Sequence, residues 1–119
     1  MCTASVYKGL SGLYTQALRT AAHHGVVDRV LDDLRTGGFD RVVPSVTVAA
    51  TKSARYVGEM HQIAEAQRAA GLPAALFEAY AGVWAEIAES PLARDDPESV
   101  DRALPAAEVV ARLERSTES

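Results

Sequence analysis

Residues 52–73 read KSARYVGEMHQIAEAQRAAGLP, and their pattern decides the fold class. Tyr56, Met60, Ile63, Gln67 and Ala70 recur at spacings of three and four, which places them on one face of a helix. Gly71 supplies a residue free to turn left-handed, and Pro73 cannot continue a helix, so the spacing predicts a helix over 52–70. Lys52, Arg55, Glu59 and Gln62 repeat at the same spacing on a second, polar stripe.

The same period governs the rest of the chain. Downstream, Leu76, Phe77, Tyr80, Val83, Trp84 and Ile87 predict a helix over 74–89 with a broad apolar face. Upstream, Val6, Leu10, Leu13, Tyr14, Ala17, Leu18 and Ala21 predict a long helix over 3–24, stopped at Gly25. A shorter one over 26–36 carries Val27, Val30, Leu31 and Leu34 and stops at Gly37-Gly38. Residues 42–50 are rich in valine and threonine, which favour strands, but no second strand exists to pair with. Pro44 suits the first turn of a helix, so a short helix or turn is expected there. A last helix is expected from Pro105 to about Arg115, too short to stand without docking. The expectation is an all-α domain of about five helices.

Composition narrows the function. A chain of 119 residues is enough for one domain, and 48% hydrophobic residues with 24% charged excludes an intrinsically disordered class. A net charge of −4 argues against nucleic acid as partner. No apolar run approaches the roughly 20 residues that span a bilayer, and the first residues lack a secretory pattern. Cys2 is the single cysteine, which excludes an internal disulfide and a cysteine-based zinc site and suits a reducing, cytoplasmic setting. None of the eight glycines forms a nucleotide-phosphate loop. Charge is uneven: residues 1–85 carry 8 basic and 7 acidic side chains, and residues 86–119 carry 4 and 9. The break falls at Ser90-Pro91 and Asp95-Asp96-Pro97, a solvated loop by composition. The organisation expected is a helical unit over 1–90, then an acidic linker and short helix over 91–119.

Three candidates for chemistry read more simply as structure. His23 and His24 are adjacent on a helix and point about 100° apart, so they cannot both face one ion. His61 and Glu65 share a face but lack a third ligand, and Cys2 lacks an activating neighbour. No metal is expected. Two polar stripes carry more. On the first helix Ser5, Lys8, Gly12, Thr15 and Arg19 lie opposite the leucines, and Gly9 and Gly12 cost helix stability unless something approaches closely. On the 52–70 helix, Lys52 and Arg55 suit a substrate carboxylate or phosphate, and Glu59 suits proton transfer or hydrogen bonds from a polyol. The plain alternative is a solvated helix with an i, i+4 pair between Arg55 and Glu59.

The segment Lys52-x-x-Arg55-Tyr56-Val57-Gly58-Glu59-Met60-x-x-Ile63-Ala64, followed by Ala70-Gly71-Leu72-Pro73 and a helix bearing Phe77, Glu78 and Tyr80, resembles the C-terminal helical domain of 6-phosphogluconate-dehydrogenase-like enzymes, within the β-hydroxyacid dehydrogenase superfamily. The first helix agrees in spacing from Met1-Cys2-Thr3-Ala4-Ser5 through Tyr7-Lys8-Gly9, Ala17-Leu18 and Gly25, so the resemblance covers about residues 1–90.

The resemblance implies an NAD(P)-dependent oxidoreductase in which a separate Rossmann domain holds NAD or NADP and the helical domain closes the cleft and dimerises. It implies a small hydroxyacid or sugar-acid substrate, a homodimer and a Rossmann domain in cis or in trans. It places Glu59 where relatives carry the acid of a Lys–acid pair, with Gly58 in the place of that lysine. It places the superfamily's catalytic lysine just before Met1 and its asparagine partner at Ala4. Either the chain is a fragment that begins just after that lysine, or Lys8, two turns along, substitutes for it. The site expected from the resemblance has Lys8 and Glu59 as catalytic residues and Ser5, Lys52, Arg55 and Gln62 as substrate-binding residues. Without a Rossmann domain this polypeptide is expected to bind no cofactor and to turn over no substrate. The apolar residues Trp84, Phe77, Leu76 and Tyr80 form a patch that needs a partner or a core, and they add to the expectation of a dimer. The alternative reading is a non-enzymatic all-α module that binds a protein or a small ligand.

Overall fold

The computed structural model describes residues 2–114. Its glycine stops are Schellman turns. Gly25 has φ 69°, its N–H donates to the Ala22 carbonyl at 3.1 Å, and the Val26 N–H donates to the Ala21 carbonyl at 2.9 Å. Gly71 has φ 77° and repeats the pattern, with Gly71 donating to Arg68 and Leu72 to Gln67. A side chain at either position would cost about 1–2 kcal/mol in that conformation.

These stops cut the chain into α1 (Cys2–His23), α2 (Val27–Thr36), α3 (Val42–Thr51), α4 (Ser53–Ala69) and α5 (Ala75–Ile87). A 3-10 turn over Pro91–Arg94 and α6 (Ala106–Leu113) follow. The described residues are all-α, with six α-helices. The ambiguous stretch is a helix: α3 carries Pro44 in its first turn and buries Val42, Val46, Thr47, Ala49 and Ala50. Thr47 needs no strand partner, because its hydroxyl donates to the Val43 carbonyl at 2.8 Å. Lys52 alone separates α3 from α4. The end of the last helix as expected, Arg115, lies outside the described residues, as does Met1.

α4 and α5 form an antiparallel hairpin. Tyr56 meets Trp84 edge-on, with ring centroids 5.4 Å apart, and His61 meets Glu78 nearer the turn. Trp84 is fully buried, beside Leu18, Met60, Ile87, Leu92 and Val109. Of the four apolar residues expected to need a partner or a core, Trp84 fills the core, Phe77 and Tyr80 are half-buried, and Leu76 alone is exposed. Residues 91–114 add Leu92, Val100, Val109 and Leu113 to the same core.

The buried face of α1 also differs from the leucine stripe. Gly9, Gly12, Tyr14, Thr15, Leu18 and Ala21 are buried, whereas Val6, Tyr7 and Leu13 are 64, 68 and 56% exposed. The reason is steric. The Tyr80 ring of α5 lies flush on the α1 backbone, and a Cβ at Gly12 would stand 2.7 Å from Tyr80 Cδ1 and 3.5 Å from Trp84 Cζ2. A leucine face could not admit that ring. Thr15, in the same interface, donates its hydroxyl to the Ser11 carbonyl at 2.8 Å.

Gly12→Ala therefore gains helix propensity but collides with the ring, and should lose about 1–2 kcal/mol of stability by urea unfolding. Gly58 is exposed in α4 and a Cβ there meets nothing within 4 Å. Gly58→Ala should instead gain up to about 1 kcal/mol. Equal effects of the two substitutions would contradict the Tyr80 packing.

Candidate functional site

The seating of α5 on Gly9 and Gly12 turns the neighbouring Lys8 toward α4. There its ammonium donates to Oε1 of Glu59, across 51 residues of sequence. The second carboxylate oxygen, Oε2, faces Arg55 Nε at 3.3 Å, one turn back on α4. Glu59 is thus held between a cation on another helix and one on its own. Both partners of the inter-helix pair are partly shielded, with side chains 23 and 28% exposed. Tyr56 completes the cluster: Lys8 Nζ lies 5.1 Å and Arg55 Cζ 5.9 Å from its ring centroid.

The charges do not balance locally. Lys8, Lys52 and Arg55 supply three cations against the one carboxylate of Glu59. Burial, then the positive charges of Arg55 and Lys52, pull the Lys8 pKa below its ordinary 10.5. Burial pushes the Tyr56 phenol above 10.0, against a smaller opposing effect of Arg55, so the hydroxyl stays protonated at neutral pH. The arrangement can hold an anion beside a lysine that yields its proton more readily than a free one.

The structure brings Lys8, Lys52, Arg55 and Glu59 together and leaves two expected residues at the margin. The Ser5 hydroxyl donates to the Cys2 carbonyl at 2.6 Å, within α1. Gln62 is exposed, one turn past Glu59. Spacing places Tyr56 on the apolar face of α4 and gives it no site role, yet its ring lies within 6 Å of both cations. The i, i+4 spacing of Tyr56 from Lys52 was the available signal. Other candidates stay apart from the cluster. The His23 and His24 rings are exposed and stack edge-on at 5.0 Å. His61 faces Glu78 at 3.7 Å, and Glu65 pairs with Arg68. Among the described residues no group of three or more His, Cys, Asp or Glu side chains could hold a metal ion, and no helix is long and apolar enough to cross a membrane.

With this geometry in hand, the class is an all-α domain with a half-buried, cation-rich cluster between two helices. Residues 21–87 match the family described as Domain of unknown function (DUF1932), and the chain belongs to that family. This is the C-terminal domain found in 6-phosphogluconate-dehydrogenase-like β-hydroxyacid dehydrogenases. The match includes Lys52, Arg55, Tyr56 and Glu59 and begins after Lys8. No curated protein and no solved structure matches the chain.

The depressed Lys8 pKa has a measurable sign. Because the folded value lies below 10.5, folding penalises the Lys8 ammonium at low pH, and the penalty fades as pH rises from the folded value toward 10.5. NMR titration of the Lys8 side chain should give a midpoint below 10.5, moving upward in Arg55→Gln and in Lys52→Gln. A midpoint at or above 10.5 in the unaltered chain would contradict the cluster.

Proposed function

We propose that this chain is the substrate-cleft and dimerising domain of an NAD(P)-dependent hydroxyacid dehydrogenase of the 6-phosphogluconate-like kind, with Lys8 and Glu59 at the reacting centre. The carrying observation is the half-buried Lys8–Glu59 pair flanked by unbalanced cations. Membership of a domain family found in such dehydrogenases supports the same reading.

In this reading Arg55 and Lys52 bind the carboxylate of the hydroxyacid, the guanidinium by two parallel hydrogen bonds. Lys8, having first released a proton to become the neutral amine, takes the proton of the substrate hydroxyl as the carbon beneath it loses hydride, and the ammonium so formed returns it in the reverse direction. Glu59 holds the ammonium in place and keeps Arg55 on the same side of α4. Ser5 and Gln62 flank the cluster by one turn each and would reach a longer sugar acid. The dinucleotide, when bound, takes up the hydride. The described residues do not fit that cofactor: they contain no strand, and no glycine-rich turn that would cradle a pyrophosphate. Its binding belongs to a Rossmann domain in cis or in trans, and the pair would work in a reducing, cytoplasmic setting.

Dimerisation rests on the apolar side chains left outside the core. Val6, Tyr7 and Leu13 project from α1, and Leu72 and Leu76 from the start of the α5 arm. Side chains of that size in solvent suit burial against a second copy.

In a two-domain enzyme, Lys8→Ala and Glu59→Gln should each lower kcat/KM by about 10²–10⁴-fold, with the far-UV circular dichroism unchanged. Near-wild-type kinetics for both would remove the pair from the reacting centre. Sedimentation at micromolar concentration should show a dimer, converted to monomer by Leu13→Glu. A single monomeric boundary for the unaltered chain would exclude the dimer.

A further inference from the structure

The chain holds ten arginines and two lysines, Lys8 and Lys52, and both lysines belong to the one cluster. The distinction is chemical. A guanidinium stays protonated and attacks nothing, whereas a lysine amine is a nucleophile once its proton has gone. Lys8 is the better placed of the two. Its side chain is 23% exposed, so Nζ is drawn back from bulk water yet open to a small molecule. Burial and the charges of Arg55 and Lys52 weaken its hold on the proton, and Glu59 beside it is placed to accept that proton. Lys52 precedes Glu59 by two turns, about 10 Å along the helix axis, which is too far to share a proton with it. The local charge is the second observation. Lys8, Lys52 and Arg55 stand against the one carboxylate of Glu59, a surplus of two positive charges. Neither Tyr56 of α4 nor Tyr80 of α5, which packs on the adjoining Gly9, supplies a carboxylate. Turning the Lys8 cation into an anion cancels that surplus, leaving two cations against two anions.

We propose that Lys8 is a carbamylation site, at which carbon dioxide adds to the side-chain amine and the resulting carbamate is held by Arg55 and Lys52. Glu59 first takes a proton from the ammonium. The amine lone pair then forms a C–N bond with the carbon of CO2, while one C=O π pair moves onto oxygen. The nitrogen releases one proton to solvent and Glu59 releases its own, so the carboxylate is restored. In sum, one ammonium and one CO2 give one carbamate and two protons, and nothing is oxidised or reduced. The carbamate oxygens accept charge-assisted hydrogen bonds from the remaining N–H groups of Arg55, whose Nε is the one turned to Glu59, and the charge of Lys52 adds to their hold. The carbamate N–H stays a donor for Oε1 of Glu59, as the ammonium is. A carbamate nitrogen takes up no proton, so where Lys8 serves as a base, carbon dioxide switches it off. That consequence rests on the function proposed above. The modification itself rests on the cluster alone and involves neither dinucleotide nor hydride.

Carbon NMR of the full chain in isotope-labelled bicarbonate, which supplies CO2 at neutral pH, tests the site. The expected result is a carbamate carbon resonance coupled to the Lys8 methylene next to nitrogen. It should vanish in Lys8→Arg and persist in Lys52→Arg, with the amide spectrum of the fold retained in both. Lys52→Gln combined with Arg55→Gln should lower the affinity for CO2 by about tenfold or more, since a single charge-assisted contact to an anion is worth about that factor. Glu59→Gln should raise the affinity, because the carboxylate steadies the ammonium and competes with the carbamate for the same two cations. The absence of any Lys8-dependent resonance would overturn the site, as would a signal that follows Lys52 instead. Equal affinity without the two cations, or no gain in Glu59→Gln, would overturn it as well. The labelled chain contains no dinucleotide, so this result stands or falls apart from the kinetics of Lys8→Ala in a two-domain enzyme.

Discussion

Everything in this domain turns on the contact of two α5 rings with the bare backbone of α1. Tyr80 lies against Gly9 and Gly12, and Trp84 stands behind it against Gly12 and Tyr56. That contact fixes how α1 is rotated. Successive helical residues differ by about 100°, so once Gly9 and Gly12 face inward, Lys8 is carried toward α4 and Val6 and Leu13 are carried outward. A single steric choice thus sets the polar site and the apolar exterior together. The two glycines cost roughly 1 kcal/mol each in helix propensity, which the buried area of two aromatic rings offsets.

The electrostatics of the cluster work against stability and for binding. Three cations around one carboxylate repel one another, and partial burial strengthens that repulsion by removing water. A structure optimised for stability alone would place a second acid there, and the chain has acids to spare: residues 86–119 carry 9 of them. They lie elsewhere. Arg19 meets Glu86, and Arg112 meets Asp95 and Glu108, at the opposite end of the helices from Lys8. Charge left uncompensated at one half-buried place, while acids are abundant elsewhere in the chain, is the pattern expected where an anionic ligand supplies the missing charge.

Helix identity was legible in the sequence because it depends on local signals. The stops at Gly25, Gly38 and Gly71 need only a residue tolerant of positive φ, and the structure places each there. The α4 core face of Tyr56, Met60 and Ile63 follows from spacing alone. The α1 face did not follow. Hydrophobic periodicity scores leucine as core and glycine and threonine as neutral, yet the facing element was a flat ring that needed absent side chains. The inward position of Trp84 did not follow either, because a helix with apolar residues on most of its surface does not reveal which of them face inward. The polar stripe of Lys52, Arg55 and Glu59 was visible as a stripe. Lys8 was visible too, on the polar stripe of the first helix, but its pairing with Glu59 was not, because no local rule links residues 51 positions apart.

The same distance argument explains how the site is distributed along the chain. The family match begins at residue 21, so it contains the α4 half of the cluster and none of the α1 half. Residues 91–114 are another place where position along the chain misleads. Acids outnumber bases there, so composition assigns the segment to solvent, but packing does not: Leu92, Val100, Val109 and Leu113 anchor it in the core.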